Sequence, residues 1–231
     1  MIMNIQGLQK LTLLDYPEHT ACTVFTGGCN LRCPFCHNVP LVLDPTGGDR
    51  ISEEEFFSFL STRKGLLDGV AVTGGEPLLQ PDIERFLRDI KERGFAVKID
   101  TNGAFPEKLT SLIKKGLVDY IAMDIKNRPE KYALTTGVDG LDLAPFKESI
   151  EIIMSSGVDY EFRTTVVDEF HTVEDIAAIG DMIKGARRYF LQKFKDSGIL
   201  SEDSSHAVSD EKAEEMLLAV QGKVEYAALR G

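Results

Sequence analysis

Residues 69–101 read GVAVTGGEPLLQPDIERFLRDIKERGFAVKIDT, and this stretch decides the fold class. Gly69–Thr73 is a short, continuous apolar run, as in strands covered on both faces. In Pro81–Arg93, Ile83, Phe86, Leu87 and Ile90 recur at helical spacing, with charges on the other side. Ala96–Thr101 is a second strand candidate. Strand, helix, strand in this order implies parallel pairing through a right-handed crossover.

The same alternation continues in both directions. Ala21–Phe25, Tyr120–Asp124, Tyr160–Val166 and Arg188–Phe194 complete the set of strands. Ser52, with Glu55 three residues on, forms a capping box for a helix through about Arg63. Further helices fit Glu107–Lys115, Ala144–Ser155, Val173–Lys184 and Asp210–Val220. Six such units are too few for the closed eight-stranded barrel. The expected architecture is α/β, an open, partial (β/α)6 barrel in one domain spanning residues 1–231; a flat doubly wound sheet is the alternative. The polar stretch Lys195–Ser209 is either a loop closing over the site or a disordered connection.

The 231 residues are 43% hydrophobic, enough for one sizeable core. No apolar stretch approaches the roughly 20 residues needed to cross a bilayer, and the N-terminus lacks the pattern of a signal peptide. A cytoplasmic protein with no membrane partner is expected. The net charge of −11 and the lack of a basic stripe disfavour nucleic acid as a partner.

Three of the four cysteines lie in Cys29-Asn30-Leu31-Arg32-Cys33-Pro34-Phe35-Cys36, behind Thr26-Gly27-Gly28, so residues 26–38 form a candidate cluster loop. A C-x3-C-x2-C loop can hold three corners of a [4Fe–4S] cluster, which normally takes four thiolates. The fourth iron then has no protein ligand and is open to a reactant, which points to radical chemistry. The competing reading is a structural zinc site completed by His37, in a zinc-stabilised binding module without catalysis. Adjacent Cys36 and His37 do not easily ligate one ion, which favours the cluster. Cys22, within an apolar run, reads as a small buried residue. His171 and His206 read as surface residues.

Other unusual residues fall at the C-terminal ends of the expected strands, where α/β barrels carry their chemistry. Gly74-Gly75-Glu76-Pro77 is either a tight strand-to-helix turn or a seat for a ligand's amine, with carbonyls and Glu76 receiving the positive charge. Asp124 and Lys126, two apart on a strand, share a face: a rim salt bridge or a grip on a polar ligand. Arg163 is an interior carboxylate clamp or an ordinary ion-pair partner. Phe35, between two cysteines, can offer a flat face to a purine or simply pack the loop.

Together these residues resemble the radical S-adenosylmethionine (SAM) superfamily over nearly the whole chain. The cysteine spacing with Phe35 is similar to its signature, and Gly74-Gly75-Glu76-Pro77 to its segment for the methionine amine. Phe35-Cys36-His37-Asn38, Asp100-Thr101-Asn102-Gly103 and Met123-Asp124-Ile125-Lys126 resemble the glycyl-radical-enzyme activases. Gln6–Pro17, Lys64–Gly69 and Glu161–Val167 look closest to the family of anaerobic ribonucleoside-triphosphate reductase activating proteins.

The resemblance implies a [4Fe–4S] cluster on Cys29, Cys33 and Cys36, reduced by flavodoxin or ferredoxin, that cleaves SAM to a 5′-deoxyadenosyl radical. The radical abstracts hydrogen from a glycine of a partner enzyme, expected to be anaerobic ribonucleotide reductase. It further implies SAM contacts from Phe35, His37, Gly74, Gly75, Glu76, Asp124, Lys126 and Arg163, and a monovalent cation on Asp100, Thr101 and Asp124. Pyruvate formate-lyase activases carry a SAM-contacting histidine after the sixth strand. Here that stretch is Leu191-Gln192-Lys193-Phe194-Lys195, leaving Lys195 or Gln192 for the contact. The alternatives are an activase of the pyruvate formate-lyase type and a small-molecule radical SAM enzyme such as a deazaguanine synthase.

Overall fold

The computed structural model describes residues 3–44, 50–195 and 205–230. Its elements run β1 (Ile5–Thr12), β2 (Ala21–Thr26), α1 (Val39–Leu43), α2 (Glu53–Ser61), β3 (Gly69–Gly74), α3 (Ile83–Glu92), β4 (Ala96–Thr101), α4 (Pro106–Lys114) and β5 (Tyr120–Asp124). They continue α5 (Tyr132–Thr136), α6 (Ala144–Ser155), β6 (Asp159–Val166), α7 (Val173–Met182), β7 (Tyr189–Lys193), α8 (Asp210–Val220) and β8 (Ala227–Arg230). The strands form one sheet in sequence order, β1 to β8. β1 is antiparallel to β2, and every later pair is parallel. The six expected strands are all present as β2 to β7; the edge strands β1 and β8 are additions to the expectation.

Side-chain alternation along the strands separates two environments. Val24, Val72, Ile99, Ile121, Phe162 and Leu191 share one apolar core with Phe56, Phe86, Leu109, Ile150, Ile176 and Met216 from the helices. The intervening positions, Thr23, Ala71, Lys98, Ala122, Glu161 and Phe190, face the other way. Helices therefore cover one face only, and the second face curves inward as the interior of a partial barrel, not the doubly wound alternative. In α3 the stripe Ile83, Phe86, Leu87 and Ile90 is buried as its spacing predicts. Each such side chain contributes about 1.5–3 kcal/mol.

The Ser52–Glu55 capping box forms: Ser52 Oγ accepts from Glu55 N, and the Glu55 carboxylate accepts from Ser52 N. Of the Lys195–Ser209 stretch, residues 196–204 lie outside the described residues, while His206 O accepts from Asp168 N and Ala207 bridges to Val167. Among the described residues no helix is long and apolar enough to cross a membrane.

Candidate active site

Each parallel strand delivers its last residues to one end of the sheet, and the cysteine loop lies across that end. Gly28, with φ 89°, turns the chain out of β2 in a conformation that suits glycine. The loop is fastened largely by backbone. Gly28 O accepts from Glu76 N at 2.8 Å, Thr26 O from Gly75 N at 2.9 Å, and Thr136 O from Arg32 N at 2.8 Å. Side chains add to this, among them Gln80 Nε2 donating to Gly27 O at 2.7 Å and Asn38 Nδ2 to Gly74 O at 2.8 Å.

The glycine turn after β3 is demanded by this fastening. A Cβ on Gly74 would lie 2.2 Å from Thr26 N, and one on Gly75 1.9 Å from Gly28 O. The close approach is between two protein backbones, which supports the tight-turn reading; both glycines still line the cavity.

That cavity, about 230 Å³, takes in Cys29, Cys33, Phe35, Cys36 and His37 from the loop, with Asp100, Thr101, Asp124, Lys126 and Arg163 from the strand ends. All four cysteines are free thiols, and Cys22 is buried, its thiol pushed up to about 12 by that burial. Burial also raises Cys29, and it pushes Cys33 up to about 11 although the Lys126 ammonium works the other way. Among the described residues no three His, Cys, Asp or Glu side chains gather closely enough to hold a single metal ion. Three thiols spread around one open cavity, with Leu31 N donating to Cys29 Sγ at 3.4 Å, suit a multi-iron cluster better than zinc.

Phe35 is 4% exposed and packs with Val167, Phe194 and Phe170, its ring 5.4 Å from that of Phe170. His37 meets Phe194 edge-on at 5.2 Å. His171, expected on the surface from its polar neighbours in sequence, is instead fully buried. Val167 N donates to its Nδ1 at 3.1 Å, and its Nε2 lies 2.9 Å from Lys126 O, so it braces the end of β5. His206 is exposed as expected.

Across β4, β5 and β6 runs a ladder of alternating charge: Lys98, Asp100, Arg163, Asp124, Lys126. Lys98 Nζ pairs with Asp100 Oδ1, and Arg163 Nη1 with Asp100 Oδ2 at 3.1 Å. Arg163 Nε pairs with Asp124 Oδ1 at 2.9 Å, and Lys126 Nζ with Asp124 Oδ2 at 3.0 Å. Burial alone raises Asp100 and Asp124, but Arg163 with Lys98 and Lys126 outweighs it and holds both below the usual carboxylate range. The three residues expected to hold a monovalent cation have partners within the protein. Both oxygens of each aspartate already meet a protein cation, and Thr101 Oγ1 turns away to Glu76 Oε1 at 3.0 Å. Lys98, 1% exposed, is the member that sequence reading missed; its place two residues before Asp100 on a strand was the available signal.

Two expected residues are not in the cavity wall. Glu76 is fully buried beneath it, accepting from Leu78 N at 3.0 Å, Thr101 Oγ1 at 3.0 Å and Asn102 N at 2.7 Å. Burial pushes its carboxyl up to about 7 despite those hydrogen bonds. Lys195 is exposed, and Gln192 lines the cavity.

A family model described as the Radical SAM superfamily matches residues 23–183. A Methanocaldococcus jannaschii protein, provisionally named a glycyl-radical enzyme activating enzyme, is 35% identical over 86% of this chain and 83% of its own. A pyruvate formate-lyase-activating enzyme of Clostridium pasteurianum is 32% identical over 81% of this chain and 79% of its own. Among solved structures, Streptococcus suis SuiB with its precursor peptide SuiA shares the fold at TM-score 0.67 and 15% identity, covering 90% of this chain and 48% of that one. The S-adenosylmethionine complex of SuiB aligns at 0.64, with 16% identity over 89% of this chain and 49% of that one.

Proposed function

Since the chain belongs to the radical SAM superfamily, whose members use a [4Fe–4S] cluster and SAM, we propose that it is an activating enzyme that installs a glycyl radical on a partner protein. The observation that supports this most is the meeting of three free thiols with a cationic strand rim in one open cavity. When bound, the reduced cluster supplies one electron that splits SAM into methionine and a 5′-deoxyadenosyl radical, which takes a hydrogen atom from the partner's glycine.

In this reading Cys29, Cys33 and Cys36 hold the cluster. Burial raises the Cys29 and Cys33 thiols, so their binding to iron as thiolates would release protons. Three cations against two carboxylates leave the ladder with an excess positive charge, and Lys126 and Arg163 are suited to a carboxylate. The Gly74–Gly75 carbonyls receive the amine, and Glu76 stabilises that turn from below. Phe35 and His37 border the adenine, and Asp124 the ribose. Hydrogen-atom transfer needs no acid–base pair, and the open side of the barrel leaves a route for a protein loop.

The proposed partner is anaerobic ribonucleoside-triphosphate reductase, on the resemblance of Gln6–Pro17, Lys64–Gly69 and Glu161–Val167, with flavodoxin or ferredoxin as donor. The Clostridium pasteurianum relative favours a second partner, pyruvate formate-lyase. Anaerobic electron paramagnetic resonance of the reduced protein with SAM and each candidate decides. A glycyl doublet on the reductase supports the first reading, and one on the lyase alone supports the second. Cleavage of SAM without either doublet removes both partners and leaves the small-molecule alternative. Cys33→Ala should abolish cleavage; retained cleavage with full iron overturns the ligand assignment.

A further inference from the structure

Asn102, in the Asp100–Gly103 motif, directs its side chain at the cysteine loop. It is 6% exposed, at the end of β4, and every polar group of its side chain is engaged. Its Oδ1 accepts from Ala104 N at 3.0 Å, which fixes the amide's orientation and turns the NH2 group toward the cysteine loop. One N–H of that group donates to Asn30 Oδ1 at 2.8 Å, and the other points at Cys29 Sγ, 3.8 Å away. Cys29 Sγ also accepts from Leu31 N at 3.4 Å. No described residue donates a hydrogen bond to the sulfur of Cys33 or Cys36, so the three thiols are not equivalent.

We propose that Asn102 is a positioning residue that sets the reduction potential of the cluster by donating a hydrogen bond to the Cys29 sulfur. The inference rests on the reading of Cys29 as a cluster ligand. Reduction adds one negative charge to the cluster, shared in part by its sulfurs, and an N–H aimed at one of them stabilises the reduced form more than the oxidised form. The amide is held from three sides before any cluster arrives, so the donor needs no reordering. Asn30, from the cysteine loop itself, holds the donor at that sulfur and ties its aim to the loop's position.

The test is a potentiometric titration, followed by electron paramagnetic resonance, of the reconstituted protein without SAM. Asn102→Ala removes the donor. Asn102→Asp keeps the acceptor for Ala104 N and substitutes a carboxylate oxygen for the donor nitrogen. Asn30→Ala leaves the donor in place but unsupported. We expect the midpoint to move negative in all three, most in Asn102→Asp. There the ratio of reduced to oxidised cluster at the wild-type midpoint should fall about tenfold, or about 59 mV for a one-electron couple. Unchanged or positive midpoints in the Asn102 variants, at full iron and sulfide content, overturn the proposal. A wild-type protein that takes up no iron and sulfide overturns the cluster assignment beneath it instead.

Discussion

Arg163 on β6 donates its Nε to Asp124 Oδ1 on β5 at 2.9 Å, directly across a register pair of the two strands. The same guanidinium reaches Asp100 at 3.1 Å, so one side chain bridges two half-buried carboxylates. Arg163→Met should destabilise the protein by about 1–2 kcal/mol, because Asp100 and Asp124 each lose one of two cationic partners and keep a lysine. Urea unfolding checks this. Arg163→Lys should restore part of the loss, since a single ammonium cannot serve both partners at once.

Glu76 gives a pH signature. Its folded pKa, about 7, lies above the value near 4.5 expected when unfolded. Its contribution is therefore fully present below about pH 4.5 and lost as pH rises through about 7, at most about 3 kcal/mol. Buried His171, lowered by desolvation, runs the opposite way and gains stability as pH rises toward its unfolded value. The difference between wild type and Glu76→Gln isolates the carboxyl: the variant's stability relative to wild type should improve between about pH 4.5 and 7 and level off above. Chemical unfolding across that range reads it, and a flat difference counts against the assignment.

Gly75 and Gly65 separate packing from backbone strain. Gly65, with φ 79°, has nothing within 4 Å of a built Cβ, and Gly65→Ala should cost about 1 kcal/mol through backbone strain alone. Gly75→Ala drives a methyl into Gly28 O and should cost about 3 kcal/mol, with poor iron uptake on reconstitution. Thermal unfolding together with iron analysis compares the two.

Gln192 and Lys195 compete for one role. Gln192→Ala should weaken SAM binding about fivefold to tenfold, the loss of one hydrogen bond worth about 1 kcal/mol. Lys195→Ala should leave it unchanged. Calorimetric titration of SAM into the reconstituted protein decides between them; the reverse ranking returns the contact to Lys195.

What could be read from the sequence follows from which forces act locally. The strands β2 to β7 and their helices announce themselves because their burial has a period. β1 is buried only at its two ends and β8 is four residues of intermediate burial, so neither leaves an apolar pattern. The cysteines, Gly74 and Gly75 stand out by type and spacing, and the cavity gathers them. Long-range partners leave no such trace. Glu76 turns away from the cavity because donors 25 and 26 residues downstream hold it. His171 is buried by a carbonyl 45 residues upstream, in a stretch whose own neighbours are polar. Lys98 sits in a run otherwise legible as an ordinary strand, where Asp100 two residues on is the one local sign of an interior charge pair.

With no side chain between Gly75 and Gly28, the cysteine loop and the glycine turn form a single interlocked cassette. A chimera that imports residues 26–38 from a relative must import residues 73–80 with them, or the new loop has no seat. The two segments most telling in the sequence are, mechanically, one part.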